Sequence, residues 1–263
     1  MVSCGLDHTL LVSDQKQLYG MGSNQYGQLG LPVEERNFNF PEPILVQPLE
    51  KFYINKIAAG VQFSLALTEE NKLYSWGRGD SGQLGTGVVD SCHSPLVCNR
   101  HISAEIGELR TGAGMSFVIC KDGSAFGCGD NSQGGLGLGE ANVFSKLTRI
   151  EGLSGRIKDI QVGNSHSMFL QADGKLMVSG SNSHGQLGSK NVKFSKSLVP
   201  CGLFPKSNVH LIACGAYSVC TTTSNEIFIW GTHLLTSTRH KYECRVCNPL
   251  LDLCNPNQIL ANV

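Results

Sequence analysis

The chain repeats itself about every 51 residues, and this period constrains its fold more than any other feature. Five short groups mark it, ending at Gly22, Gly77, Gly129, Gly180 and Gly231, which are separated by 55, 52, 51 and 51 residues. Each of the first four groups opens a second signature: Gly22-Ser-Asn-Gln-Tyr-Gly-Gln-Leu-Gly30, Gly77-Arg-Gly-Asp-Ser-Gly-Gln-Leu-Gly85, Gly129-Asp-Asn-Ser-Gln-Gly-Gly-Leu-Gly137 and Gly180-Ser-Asn-Ser-His-Gly-Gln-Leu-Gly188. The fifth copy, Gly231 to His240, lacks the Gly-Gln-Leu-Gly ending, as terminal units of repeat arrays commonly do. A further glycine begins each unit, at Gly5, Gly60, Gly112, Gly163 and Gly215.

After each starting glycine the residues alternate and run into a turn, as in Ser64-Leu65-Ala66-Leu67-Thr68 leading to Leu73-Tyr74. Asp122-Gly123 and Asp173-Gly174 are hairpin turn pairs, so each unit is predicted to supply a small antiparallel sheet. Glycine fits where strands converge or where a turn needs positive φ, because a Cβ atom would be in the way. One small sheet cannot bury both faces, so the units must stack. The expected fold is all-β: a β-propeller of about five blades, or part of a seven-bladed one. The expected domain organisation is a single repeat domain over 1–263, with units at about 1–53, 54–105, 106–156, 157–208 and a degenerate 209–263. Leu260 and Val263 keep the apolar spacing that precedes a starting glycine, so the segment around Gln258, Ile259 and Leu260 is expected to pair into the first sheet.

Charge narrows the function classes. The 21 basic and 21 acidic side chains cancel, so no overall field draws the protein to nucleic acid or to an anionic membrane, and chromatin binding is disfavoured. No apolar run is long enough to span a bilayer. Eleven cysteines without the spacing of a secreted disulfide framework suit a reducing cytoplasmic or nuclear compartment. Cys4, Cys120, Cys128 and Cys214 read as reduced core or strand residues.

Four features could carry chemistry. Gly77-Arg-Gly-Asp-Ser-Gly82 fits the dinucleotide fingerprint, yet it falls in register with the repeat and no helical pattern follows it, so the repeat turn accounts for it. His8 and His166 recur at one repeat position that Phe63, Met115 and Ser218 fill elsewhere, which predicts structural histidines packed between blades. His240, Cys244, Cys247 and Cys254 include one Cys-x-x-Cys pair, a half-site for zinc, but no second pair exists and free thiols are the simpler reading. Asn24, Tyr26, Arg78, Asp80, Asn131 and His184 sit in the turns and are the candidate interaction face, exposed loops on a rigid scaffold. No cofactor and no catalytic constellation is expected.

The Gly-x-x-His-[Thr/Ser] start and the Gly-x-Asn-x-x-Gly-Gln-Leu-Gly turn resemble the regulator of chromosome condensation repeat family. The likeness is strongest at Gly5-Leu-Asp-His-Thr9 with Gly22 to Gly30, and at Gly163-Asn-Ser-His-Ser167 with Gly180 to Gly188. The resemblance implies a β-propeller that binds proteins, as a scaffold or as a regulatory domain beside kinases and ubiquitin ligases. It also implies an alternative, guanine-nucleotide exchange on a Ran-like small GTPase. The exchange factor of that family carries a β-wedge inserted in one blade, and no stretch between these repeats is long enough to supply one. The implied partner is a protein, a small GTPase or a kinase among the options.

Overall fold

A computed structural model describes residues 1–31, 38–189, 192–204 and 208–231, together with the backbone of Arg245–Cys247. Among these residues the regular structure is β apart from a one-turn 3-10 helix, Gln47–Leu49. Five four-stranded sheets follow one another along the chain. The first holds β1 (Val2–Cys4), β2 (His8–Val12), β3 (Leu18–Ser23) and β4 (Asn39–Leu45), and the second β5 (Ile54–Ala59), β6 (Phe63–Thr68), β7 (Leu73–Gly77) and β8 (Cys92–Val97). The third holds β9 (Ile106–Thr111), β10 (Met115–Cys120), β11 (Ala125–Asp130) and β12 (Val143–Arg149). The fourth holds β13 (Ile157–Val162), β14 (His166–Gln171), β15 (Leu176–Ser181) and β16 (Phe194–Pro200), and the fifth β17 (Val209–Cys214), β18 (Tyr217–Thr222), β19 (Ile227–Gly231) and β20 (Arg245–Cys247). Within every sheet the strands lie in chain order and pair antiparallel, the meander of a propeller blade.

The first blade draws all four strands from residues 2–45. Gln258, Ile259 and Leu260, expected to close that sheet, lie outside the described residues. By internal contacts the chain divides into two compact units, one of Met1–Asp130 with Val143–Arg149 and one of Asn131–Asn142 with the chain from Ile150.

In each unit the middle strands of a blade are more buried than its fourth strand, and β15 is buried throughout. Every residue of β6, β10 and β14 is buried, whereas β4, β8 and β16 are half-buried or exposed. The first unit packs Phe63, Leu65, Leu84, Leu109, Val118 and Leu147 into one core cluster, and the second packs Met168, Leu170, Val178, Leu187, Ile212 and Trp230 into another. Each such side chain contributes about 1.5–3 kcal/mol by leaving water.

The Gly-Gln-Leu-Gly turn is the clasp between a blade and the next. Its leucine, at Leu29, Leu84, Leu136 and Leu187, is at most 1% exposed. In the first unit the Gln28 carbonyl accepts from the Ser64 hydroxyl at 2.7 Å and from Trp76 Nε1–H at 2.9 Å. The Gln83 carbonyl accepts from Ser116 at 2.7 Å and from the Cys128 thiol at 3.6 Å. The second unit repeats the device: Gly135 O accepts from Ser179 at 3.1 Å, and Gln186 O from Ser218 and from Trp230 Nε1–H, both at 2.8 Å. The glutamine side chain clips the turn shut, Oε1 of Gln28, Gln83 and Gln186 accepting the N–H groups of Tyr26, Ser81 and His184 at 2.8–2.9 Å.

The repeat glycines divide by physical reason. Gly22, Gly77, Gly129, Gly180 and Gly231 have φ between 101° and 118° or at 100° (Gly77), and Gly30, Gly85, Gly137 and Gly188 have φ of 61–70°. A Cβ on Gly77 would also stand 2.7 Å from Gln62 O. At the starting position the reason is close approach instead: a Cβ on Gly5 would stand 2.3 Å from Gly60 O, and one on Gly163 2.4 Å from Gly215 O. The fifth blade departs from the pattern. Tyr217, not Ser218, pairs with Gly231 as His8 pairs with Gly22, because the loop after Gly215 is one residue shorter than the loop after Gly163. Ser218 therefore stands one position on, where Ser64 stands in the second blade, and the expected equivalence of Ser218 with His8 is corrected.

Candidate interaction site

The loop after a blade's first strand and the turn after its third strand meet at the same end of the sheet. Backbone hydrogen bonds fix this in both units: Arg78 N–H donates to Gln62 O at 2.9 Å and Asp130 N–H to Gly114 O at 2.8 Å, while Ser181 N–H donates to Ser165 O at 2.9 Å. The residue after the positive-φ glycine is thereby held at this end of its blade. It is Ser23 and Ser181 in two blades but Arg78 and Asp130 in the two between them.

Three of the expected face residues come together. The Arg78 guanidinium donates through Nε to Asp80 Oδ2 at 2.8 Å, lies 2.7 Å from it through Nη2, and donates through Nη1 to Gln62 Oε1 at 2.9 Å. Its Cζ stands 5.4 Å from the centroid of the Tyr26 ring, a cation–π contact contributed by the preceding blade's turn. The hydrogen bond from Arg78 holds the Asp80 carboxyl below its usual range, and the same bond raises Arg78. Both side chains are about half exposed, so the pair orients groups more than it stabilises the fold. Beside it a pocket of about 200 Å³ opens between the second and third blades, with Gln62, Ser81, Ala113, Gly114 and Asp130 on its wall. His184 is exposed and lies in the second unit, its Nδ1 2.9 Å from Ser183 Oγ.

Asn24 and Asn131 are corrections to the expected face, since they are 4% and 0% exposed. The turn needs them inside: their Oδ1 atoms accept the N–H groups of Leu29 and Leu136 at 2.9 and 3.0 Å, and Asn131 Nδ2 donates to Gly139 O and Ala141 O. A short amide side chain supplies both donor and acceptor to a turn that would otherwise bury unpaired backbone groups. Gln62, Ser81 and Asp130 went unread in the sequence. For Asp130 the available signal is charge at a repeat position that holds serine in the first and fourth blades; Gln62 and Ser81 carry no such signal.

The histidines pack between blades. His8 is 3% and His166 0% exposed, and their Nε2 atoms meet Ser64 Oγ at 2.9 Å and Ser218 Oγ at 2.8 Å in the next blade. Each serine's one proton goes to a clasp carbonyl, so at His166 the serine oxygen accepts from Nε2–H and Nδ1 is a bare, buried lone pair, while His8 Nδ1 stands 3.8 Å from the Asp7 carboxylate. Burial lowers both histidines, His166 to about 4. The Gly77 to Gly82 segment forms the turn after β7, and its N–H groups are engaged within the protein, Arg78 N–H with Gln62 O, Gly79 N–H with Ser91 Oγ, Ser81 N–H with Gln83 Oε1 and Gly82 N–H with Gly79 O. Among the described residues no group of three His, Cys, Asp or Glu stands ready to hold a metal. His240, Cys244 and Cys254 lie outside the described residues, and of Cys247 only the backbone in β20 is described. Among the described residues no helix is long and apolar enough to cross a membrane.

Comparison with known proteins agrees on one family. A family model described as the RCC1-like domain matches residues 1–250. The serine/threonine-protein kinase Nek9 of Xenopus laevis is 30% identical over 88% of this chain and 26% of its own length. The human E3 ubiquitin-protein ligase HERC2 is 31% identical over 85% of this chain and 5% of its own length. Among solved structures, human WBSCR16 superposes with a TM-score of 0.78 at 24% identity, over 88% of this chain and 61% of that one. Yeast RCC1 (Prp20), solved bound to Kap60, superposes with a TM-score of 0.73 at 21% identity, over 88% and 55%. The chain thus spans about a quarter of the kinase and a twentieth of the ligase.

Proposed function

The chain belongs to the RCC1-like domain family, and from that premise we propose that it is a non-catalytic protein-interaction propeller, the scaffold or regulatory part of a signalling protein. The observation that carries this reading is the company the module keeps: the same domain makes up a small share of a kinase and of a ubiquitin ligase, two unrelated chemistries. A module found beside two unrelated chemistries supports recognition, rather than catalysis, as its own role. In the first unit the loop end of the blades is the proposed recognition face, with Tyr26, Arg78 and Asp80; in the second unit His184 is the candidate, taken by itself. A tyrosine ring and a partly exposed guanidinium side by side are residue types enriched among the anchors of protein interfaces, and Asp80 orients the guanidinium. Free thiols in the core, such as Cys98, Cys128 and Cys220, support a cytoplasmic or nuclear setting.

The alternative is guanine-nucleotide exchange on a Ran-like small GTPase, drawn from the family resemblance. It would act by binding the nucleotide-free GTPase more tightly than the loaded form, which asks for no acid, base or metal. A kinase or ligase partner fits the first reading equally well.

The test is affinity capture on the immobilised domain, wild type beside the double substitution Tyr26→Ala and Arg78→Ala, with retained proteins quantified by mass spectrometry. A set of proteins depleted at least about 10-fold from the variant is expected, the loss of a single interface anchor of about 1.4 kcal/mol or more. Identical sets on both baits would contradict this face.

A further inference from the structure

We propose that Ser94 is a phosphorylation site for a proline-directed protein kinase, and that its phosphate lies at the foot of the recognition face of the first unit.

The outer strand of the second blade presents the serine. β8 is the last strand of its sheet, and its ladder with β7 is broken: Gly77 pairs with Cys92 and Ser75 with Leu96, so His93, Ser94 and Pro95 stand against Trp76 alone. Such a bulge bends the strand away from its neighbour. Ser94 is exposed, its carbonyl accepts from the Cys92 thiol at 3.0 Å, and among the described residues nothing hydrogen-bonds its hydroxyl. Ser64 and Ser75 in the same blade are buried and donate to Gln28 O and Leu84 O.

The repeat separates what the fold requires here from what it does not. Two residues past the strand partner of the positive-φ glycine (Phe40, Cys92, Phe144 and Ser195) stand Glu42, Ser94, Lys146 and Ser197, all four exposed. An acid, a base and two serines share the position, so packing selects none of them. Glu42 shows that a blade carries negative charge there, and a phosphoserine brings about −1.5 to −2.

The following residue makes the distinction. Ser94 is followed by Pro95 and Ser197 by Leu198, and Ser94-Pro95 is the single Ser-Pro or Thr-Pro pair in the sequence. Proline has no N–H. A kinase subsite that offers no hydrogen-bond acceptor to the residue after the serine rejects every other residue, whose N–H would be buried unpaired. Leu96 and Val97 carry no charge, so the proline is the whole of the signal. In the transfer, Ser94 Oγ bonds to the γ-phosphorus of magnesium-bound ATP and the bond from that phosphorus to the β–γ bridging oxygen breaks. ADP leaves, and the hydroxyl proton passes to the kinase's catalytic carboxylate.

The start of β8 underlies the recognition face. A Cβ on Gly27 would collide with the His93 ring, and Ser91 Oγ accepts the Gly79 N–H at 3.2 Å, so this stretch supports both turns that carry Tyr26, Arg78 and Asp80. Phosphate on the residue after His93 adds charge where a partner on that face meets the protein. This last step rests on the interaction reading; the assignment of Ser94 as phosphoacceptor does not.

The experiment incubates the folded full chain with an active mitogen-activated protein kinase, which requires the proline and no neighbouring charge, and labelled ATP, and maps the product by mass spectrometry. Incorporation is expected at Ser94 and not at Ser197. Ser94→Ala is expected to abolish it and Pro95→Ala to cut it at least about 10-fold, with thermal melts showing both variants folded. Phosphorylation is expected to shift the Tyr26 and Gly27 amide resonances. No incorporation at Ser94 until the chain is unfolded, equal incorporation at Ser197, or an undiminished rate in Pro95→Ala would overturn the phosphoacceptor assignment, and unmoved Tyr26 and Gly27 amides its placement at the face. The capture experiment on Tyr26→Ala/Arg78→Ala tests the face without the kinase, so either reading can fail while the other stands.

Discussion

Trp76→Ala destabilises the first unit by about 3–5 kcal/mol, the loss expected when a fully enclosed tryptophan is truncated in a core that relaxes only in part. Trp76 is 0% exposed and packs with Leu10, Leu18, Val46, Leu49 and Ile54, residues that join the first blade to the second. Its indole N–H also closes the clasp on Gln28 O. Trp76→Phe keeps most of the ring volume and leaves that carbonyl with the Ser64 hydroxyl, so about 1 kcal/mol is expected for the lost hydrogen bond. Hydrogen exchange at the β6 and β7 amides measures both. A Trp76→Ala cost no larger than that of Trp76→Phe would show that the clasp region does not hold the blades together.

Acidification weakens the second unit through His166. Its folded-state value of about 4 lies below the ordinary 6.5, because burial disfavours the charged ring. The unfolded chain therefore takes up a proton that the folded chain refuses. Stability from this group is complete above pH 6.5, falls as the pH drops toward 4 and levels off below that, a loss on the order of 3 kcal/mol. The groups facing the ring are the Ser218 hydroxyl and the Cys214 sulfur, 3.1 Å from Nε2, and neither offers an imidazolium a countercharge. Urea melts at pH 7 and pH 4.5 follow this through Trp230, the one tryptophan left once Trp76→Phe is introduced. His166→Gln in that background is expected to flatten the pH dependence, since an amide can still donate to Ser218 without titrating. An unchanged slope would place the proton uptake elsewhere.

The architecture was legible in the sequence because repetition reports it directly. Glycines at fixed spacing announced the turns, and the alternation after each starting glycine announced the strands. What remained hidden was the use of side chains inside the turn. Asn24 and Asn131 look like exposed polar loop residues in a string of letters, and only the path of the backbone shows that their amides brace Leu29 and Leu136 from within. The clasp was invisible for a related reason: serine, tryptophan and cysteine all deliver a hydrogen to the same turn carbonyl, so no single residue type recurs. The shortened loop after Gly215 shifted the fifth blade by one residue, a displacement that strand pairing reveals and spacing alone does not. Of the proposed face, Tyr26, Arg78 and Asp80 are legible from their place in the turns, while the nearness of Asp130 to them shows only once the second and third blades are seen to share a pocket.

Release of labelled GDP from a panel of small GTPases, Ran included, with and without micromolar protein, tests the central claim most directly. A binding module that catalyses nothing leaves every rate at its intrinsic value, and this is the predicted result. Acceleration of any one member well above its intrinsic rate would contradict it and establish the domain as an exchange factor.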